Sequence, residues 1–387
     1  MATTAIQQEF WGDLQVDLNV KNTAVYLANQ ELKNIISTNG RKAHRPILSN
    51  PQIGTYTPHS DISFEAKSAI QQTLEVDTFE YAAEDIDITE KNQTPYDLVG
   101  HSLKSIRNGL MNRVEQVFLS KISDASHSIS GSPVVVSGAN ILDILEEAEG
   151  KLGAFDAPYE TSLRAAVLGP RTVAKLRRAK SERESRLGDS VLENGIVGPW
   201  QGWTVVQNNN LPWSATLTID TQPTDGDTVT ISGVVFTFKT TLGSTAGNVL
   251  IGISAATARA NLEAALEKAA GAGTTYVELS ERDRFLLTRK RNIRTSSAED
   301  MLFTGFGDIS VAETFTATTN IWSSQIQKDV FMIRGSIDLV LQFMSVEVGD
   351  KEKGFADLPK GIIGVGAKVF SDGAVMMVEL EQDVSGF

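Results

Sequence analysis

Four histidines, His44, His59, His101 and His127, are the only imidazoles available for metal binding or general-base chemistry. None falls in the His-Glu-x-x-His spacing that sets two ligands on one helical face. The chain has 0 Cys, which excludes disulfides, thiolate ligands and a cysteine nucleophile and leaves a zinc centre without a donor set. His101 lies beside an apolar helical stripe, where an imidazole reads as an ordinary helix residue. Asp225-Gly226-Asp227 could open a calcium loop, but the later ligands are missing and a hairpin turn is the better reading. Gly271-Ala272-Gly273-Thr274-Thr275 lacks the Lys-Ser/Thr that closes a phosphate loop, and Gly361-Ile362-Ile363-Gly364-Val365-Gly366 lacks the glycine spacing of a dinucleotide site. No nucleophile-elbow motif occurs. Asn92-Gln93-Thr94 matches a glycosylation acceptor, with nothing else that implies secretion. The chain is therefore read as a non-enzyme with no cofactor and no metal.

Charge is what remains. Glu75, Asp77, Glu80, Glu84, Asp85, Asp87 and Glu90 all precede the next base, Lys91. Arg171, Lys175, Arg177, Arg178, Lys180, Arg183 and Arg186 crowd one segment, tempered by Glu182 and Glu184. Arg41, Lys42 and Arg45 form a smaller basic group. Three readings of the large basic cluster stay open: contact with nucleic acid, complementarity to a neighbour's acidic segment, or a solvated face. A formal net charge of -13 argues against gripping nucleic acid over the whole surface. The same charge suits a surface that lines a DNA-filled space without adhering to it, or simply serves solubility. Glu75, Asp77, Glu80, Glu84 and Asp85, facing Arg171, Lys175, Arg177, Arg178 and Arg183, are the candidate inter-subunit contacts.

At 387 residues, with 41% hydrophobic and 21% charged residues, the chain suffices for two or three folded domains. No apolar run approaches the ~20 residues that span a bilayer, and the N-terminal residues do not read as a secretory signal. Residues Ala5–Ile36 read as helix. The stretch from Gly40 to Pro58, broken by Pro46, Pro51 and Gly54, reads as an extended arm. Ile62–Thr89 carries the acid run on alternating strand pattern and predicts a projecting two-stranded hairpin. A helix follows from Pro95 to about Ile122, with Thr94 as cap, Asp97 at the positive dipole end, and Val99, Leu103, Ile106, Leu110, Val114 and Val117 on one stripe.

Residues 130–213 read as α/β: helix Asn140–Leu152, buried strand Leu163–Leu168, basic helix Arg171–Arg186 and strand Gly202–Val206. Thr/Val-rich strands then appear at Thr216–Asp220, Thr228–Ile231 and Val234–Phe238, the last two joined by a Ser232-Gly233 turn. Ser254 caps a helix carrying Ala258, Leu262, Ala265 and Leu266. Tyr276–Leu279 and Arg284–Thr288 are expected strands, and Ser214–Thr319 reads as an inserted α+β unit. Ile321–Leu341 is expected as helix. Strands Phe343–Val348, Gly361–Phe370 and Ala374–Glu379 follow, with a turn at Asp372-Gly373.

This order of parts resembles the major capsid proteins of tailed bacteriophages, the Hong Kong 97-type fold. The residues that carry it are the acidic arm segment, the helix opening at Thr94-Pro95-Tyr96-Asp97, Gly202-Trp203-Thr204-Val205-Val206-Gln207-Asn208-Asn209-Asn210-Leu211-Pro212, and Gly364-Val365-Gly366-Ala367-Lys368-Val369-Phe370. The resemblance implies an α+β fold with an N-terminal arm over 1–60, an extended loop over 61–91, and a peripheral domain with its spine helix over 92–129. It implies an axial domain over 130–213 and 320–342, an insertion domain over 214–319, and peripheral return strands over 343–387. It further implies a shell subunit that forms pentamers and hexamers around double-stranded DNA without sequence-specific binding. Separate scaffolding, portal and decoration proteins would be its other partners, and the virion capsid, assembled in host cytoplasm, its location, with no membrane. Lys67 and Asn208–Asn210 are the only residues that suggest the inter-subunit Lys–Asn cross-link of some relatives, and no carboxylate is fixed beside them. Two other readings are an encapsulin-like cargo compartment, and a surface or carbohydrate-binding protein acting through the insertion.

Overall fold

The computed structural model describes residues 23–33, 35–36, 40–48, 53–59, 61–62, 64–93, 97–154, 163–181, 202–289, 293–296, 300–307, 310–350 and 354–385. The chain divides into two compact units. One combines Met1–Asp124 with Arg334–Ala374, and the other Ala125–Ile333 with Val375–Phe387.

The first unit is built on a 22-residue helix, Leu98–Leu119. The Asp97 carboxylate caps it by accepting the Gly100 N–H at 3.0 Å. The expected cap Thr94 and the first-turn Pro95 lie outside the described residues. Ile106, Leu110, Val114 and Val117 of the expected stripe are buried. They face an antiparallel sheet of β3 (Thr78–Ala83), β16 (Ile337–Asp350) and β17 (Ala356–Val369), with β17 in the middle. The short β4 (Ile86–Asp87) also pairs with β17. Close approach of the helix requires glycine at 361, because a Cβ there would lie 2.7 Å from Ile106 Cγ2 and 2.9 Å from Leu110 Cδ1.

The expected hairpin over Ile62–Thr89 does not form. β2 (Ala69–Glu75) pairs instead with β1 (Lys42–Leu48) of the arm, and β3 pairs with β17. The reason is the junction between β2 and β3. Leu74 and Val76 are both fully buried, against Phe370, Val340, Leu32, Ile36 and Ala43. Burying that junction sends the two strands to different partners. Of the expected helix Ala5–Ile36, residues up to 22 lie outside the description, and the turn Ala24–Leu27 is helical. It is tied to the long helix where the buried Glu115 carboxylate accepts from Thr23 N and Oγ1, both at 2.7 Å.

The second unit contains an eight-stranded sheet. β5 (His127–Ser128), β6 (Arg164–Leu168), β7 (Thr204–Gln207), β8 (Pro212–Thr218), β12 (Ile293–Ser296), β13 (Asp300–Phe306), β15 (Ile321–Ile333) and β18 (Met377–Asp383) compose it. The helix Ile141–Ala154 buries Ile141, Leu142, Leu145 and Ala148, as the spacing predicts. Every residue of β6 is buried. A second sheet, in the order β11 (Asn248–Leu250), β10 (Val234–Lys239), β9 (Thr228–Ile231), β14 (Val311–Thr314), packs with the helix Ala255–Glu267 around Phe236, Phe238 and Leu262. The turn Ser232-Gly233 has positive φ at both residues, 53° and 82°, the geometry of a two-residue hairpin. Ser254 Oγ accepts from Thr257 N at 3.2 Å. Ser254→Ala is expected to cost about 1 kcal/mol, read as faster amide exchange in Ala255–Glu267 alone.

Four further expectations differ. Ile321–Leu341 is not a helix but the strand β15 followed by the start of β16. The apolar run Val330–Ile333 fits a buried strand as well as a helix, and pairing with β6 and β18 decides it. Arg284–Thr288 belongs to the helix Glu281–Arg289, started by Ser280 Oγ accepting from Asp283 N at 3.2 Å. Tyr276 makes only isolated bridges, to Val249 and Ala272, and Asp372-Gly373 opens a short helix, Ser371–Val375.

Candidate assembly surfaces

The β1–β2 ribbon leaves the core at one end and reaches solvent at the other. Lys42 pairs with Glu75 beside the buried Ala43 and Leu74, while Leu48 pairs with Ala69 at the far end. Six steps along a strand carry the chain roughly 20 Å. The loop it carries exposes four large apolar side chains among polar ones: Ile53 at 100%, Tyr56 at 62%, Ile62 at 66% and Phe64 at 94%. Apolar side chains this exposed have a large transfer free energy to gain from a partner surface.

A second apolar surface lies on the sheet face away from the long helix. Along β3, Phe79, Tyr81 and Ala83 point outward, and along β17 Lys360 and Ile362 do. Tyr81 stands opposite Ile362, and Ala83 opposite Lys360. With Ser345 and Glu347 they line a groove of about 310 Å³. Lys360 Nζ and Glu347 Oε1, 3.1 Å apart, form its charged rim.

The acidic residues are largely engaged within the chain. Glu75 bridges Lys42 at 3.0 Å and Arg41 at 3.4 Å. Glu80 accepts from Arg113 of the long helix at 2.8 Å, Glu84 accepts from Ser102, and Asp77 accepts from Thr78 at 3.0 Å. Asp77, Glu84 and Asp85 remain exposed.

The basic helix spans Pro170–Ser181. Arg183, Arg186, Glu182 and Glu184 lie outside the described residues. Arg177 and Arg178 are exposed, whereas Lys175 donates to the Val136 carbonyl at 2.5 Å and Lys180 is buried. Burial lowers the ammonium pKa of both lysines. The N-terminus of this helix is held from β15. Asp329 is wholly buried and accepts from Gly169 N at 2.9 Å, Thr172 Oγ1 at 2.6 Å and Gln382 Nε2 at 2.8 Å. A remote carboxylate thus caps the positive end of the helix dipole. Sequence reasoning missed it, although one acid inside the apolar run Asp329-Val330-Phe331-Met332-Ile333 is a legible signal.

Asp227 Oδ1 accepts from Thr316 N at 3.0 Å and its Oγ1 at 2.8 Å, and Asp227 Oδ2 accepts from Thr224 N at 2.8 Å. Asp225 accepts from Thr240 N at 2.8 Å. These carboxylates hold loops together. Asn208 and Asn210 are buried, and Asn208 Oδ1 accepts from Asn210 N at 2.7 Å, so neither presents an open amide to a neighbour's lysine. Among the described residues no group of three or more acidic or imidazole side chains could hold a metal ion, and no helix is long and apolar enough to cross a membrane.

No protein-family model matches the chain, and no curated protein matches it in sequence. Solved structures do match. A structure from Mycobacterium phage Che8 superposes with a TM-score of 0.57 at 14% identity, covering 92% of this chain and 90% of that one. The capsid structure of the cyanophage P-SCSP1u gives a TM-score of 0.51 at 11% identity, covering 89% and 84%. Likeness over nearly whole chains at such identities concerns the backbone arrangement, and this chain has the tailed-phage major capsid protein fold.

Proposed function

We propose that this chain is a major capsid protein that assembles into pentamers and hexamers of an icosahedral shell around a phage genome. The observation that carries this reading is the projecting ribbon with the apolar side chains exposed on its loop, in a chain of capsid fold. A projecting contact element fits a neighbour's surface rather than its own and makes a heterologous contact, which closes a ring when the rotation between copies divides a full turn. The role is structural rather than catalytic.

In the Hong Kong 97-type division, the β1–β2 ribbon with its loop serves as extended loop in place of the expected 61–91, and the long helix with β3, β4, β16 and β17 serves as peripheral domain, β18 falling to the other unit. The eight-stranded sheet with the helices Ile141–Ala154 and Pro170–Ser181 serves as axial domain, and the sheet β11-β10-β9-β14 with the helix Ala255–Glu267 as insertion. The loop is proposed to lie in the neighbour's groove beside Tyr81 and Ile362. Charge sets register through the exposed carboxylates Asp77 and Asp85 and the exposed Arg177 and Arg178. Packaged DNA faces the acidic inner wall without sequence-specific contact, and scaffolding, portal and decoration functions fall to other proteins. Virions would carry the chain in their capsid after assembly in host cytoplasm.

Electron microscopy of the purified full chain, alone and with a scaffolding protein, tests the reading. Closed shells with five-fold vertices are expected, and a folded monomer under both conditions would overturn it. The absence of native cysteine makes a second test clean. Phe64→Cys with Ile362→Cys is expected to give a ladder of covalent multimers on oxidation, and each single variant none. Shells that form without a ladder would remove the groove as the docking place.

A further inference from the structure

Arg45 and Gln72 stand directly opposite each other, one on each strand of the projecting ribbon. Both side chains reach the same corner, residues Phe370–Asp372, more than two hundred positions away in sequence. Arg45 Nη2 donates to Asp372 Oδ2 at 2.7 Å, and Nη1 lies 3.7 Å from Asp338 Oδ2. The guanidinium also lies over the Phe370 ring, 5.3 Å from its centroid. Gln72 makes a reciprocal pair with Ser371: its Nε2 donates to Ser371 Oγ at 3.2 Å, and its Oε1 accepts from Ser371 N at 3.2 Å. One position inward, Lys368 Nζ donates to the Thr73 carbonyl at 2.6 Å.

The burial pattern gives this grip its meaning. Inward of it, Ala43 and Leu74 are buried in the core; outward of it, Ala69, Ile70 and Gln71 are all exposed. Among the described hydrogen bonds and ion pairs, the Arg45 and Gln72 contacts are the outermost that bind the ribbon to the corner. A two-stranded ribbon is stiff along its strands but free to swing about its last fixed point. Because the grip uses side chains from both strands, it resists twist as well as swing. The ion pair is a charge-assisted hydrogen bond, worth more than a neutral one. Beneath it, Asp338 is almost wholly buried with Oδ1 lacking a hydrogen-bond partner among the described residues.

We propose that the cross-strand pair Arg45 and Gln72, clamped on the corner Phe370–Asp372, is the fulcrum that fixes the angle at which the ribbon and its loop project. Arg45 is thus a positioning residue for assembly. The effect on the shell rests on the capsid reading; the clamp within one subunit does not.

Hydrogen exchange on the unassembled full-length chain tests the clamp. Arg45→Ala and Asp372→Asn are each expected to speed exchange in 42–48 and 69–75 about tenfold, with the long helix and β18 unchanged. Arg45→Lys keeps the charge and stem but loses the fork, so its ribbon is expected to fall between wild type and Arg45→Ala. It also serves should Arg45→Ala not fold. Unchanged ribbon exchange, or equal acceleration throughout the first unit, would overturn the clamp. Where wild type forms shells, Arg45→Lys is expected to give shells of mixed curvature. A faster ribbon with shells indistinguishable from wild type would overturn the positioning role while leaving the capsid reading intact. Failure of wild type to assemble at all would fall on that reading and leave the exchange result standing.

Discussion

Asp329→Ala is expected to destabilise the second unit by about 3 kcal/mol, through three buried donors left without an acceptor. Gly169 N, Thr172 Oγ1 and Gln382 Nε2 converge on this one carboxylate. Without it the helix Pro170–Ser181 loses its cap and β15 one side-chain bond to β18, whose backbone pairing remains. Burial pushes the Asp329 carboxyl up to about 7, against 3.8 for a solvated aspartate, while the donors and Lys175 oppose the rise. The sign follows from proton binding. Between those two values the folded unit holds the proton and the unfolded chain does not. This group's contribution is therefore fully present below the unfolded value and is lost as pH rises through about 7. Urea titrations at pH 4.5 and 7.5, comparing wild type with Asp329→Asn, isolate that contribution. Wild type is expected to lose more stability than the variant between the two values. Equal losses in both chains would show that Asp329 is not the titrating group.

Gly366→Ala is expected to be strongly damaging to the first unit. A Cβ at 366 would sit 2.4 Å from the Glu75 carbonyl oxygen and 2.9 Å from Val76 Cα. These are backbone atoms at the buried root of the ribbon, so no side-chain rotation relieves the clash. The strand must move away, at a cost of about 1–3 kcal/mol or more. Displacing Glu75 and Val76 also opens the cluster of Leu74, Val340 and Phe370. The expected result is a lowered melting temperature together with faster exchange in β1 and β2. By contrast, Gly361→Ala meets the methyl ends of Ile106 and Leu110, which yield more readily. Comparing the two variants by melting temperature checks the argument: Gly361→Ala being the more damaging would contradict it.

Local features were legible wherever neighbours in sequence decide them. The Ser232-Gly233 turn, the Ser254 cap, the buried strand around Arg164–Leu168 and the helix carrying Ile141 and Leu145 all rest on residues a few positions apart. The stretch from Gly40 to Pro58 reads as an extended arm, yet Lys42–Leu48 within it forms the strand β1, because its partner Ala69–Glu75 lies farther along the chain. The strand β15 was not legible either. Its apolar run satisfies helical and buried-strand patterns alike, and its true partners, Val167 and Val378 among them, lie far away in sequence. The acidic segment shows the same limit at the candidate site. Its composition marked a charged surface, yet Glu75 and Glu80 are consumed by Lys42, Arg41 and Arg113 of the same chain.

By itself the sequence determined the absence of cysteine, the acidic balance, the positions of several caps and turns, and the order of parts that resembles a phage coat. Those depend on residue identity and short spacing. Only the tertiary structure decided that the acidic strands part company, that glycines 361 and 366 admit a helix and a ribbon, and that the arm's loop projects. Each of these follows from which distant surfaces bury one another. Arg45 and Asp372, 327 positions apart, meet because the strands that carry them have already found partners, and no local pattern encodes that meeting.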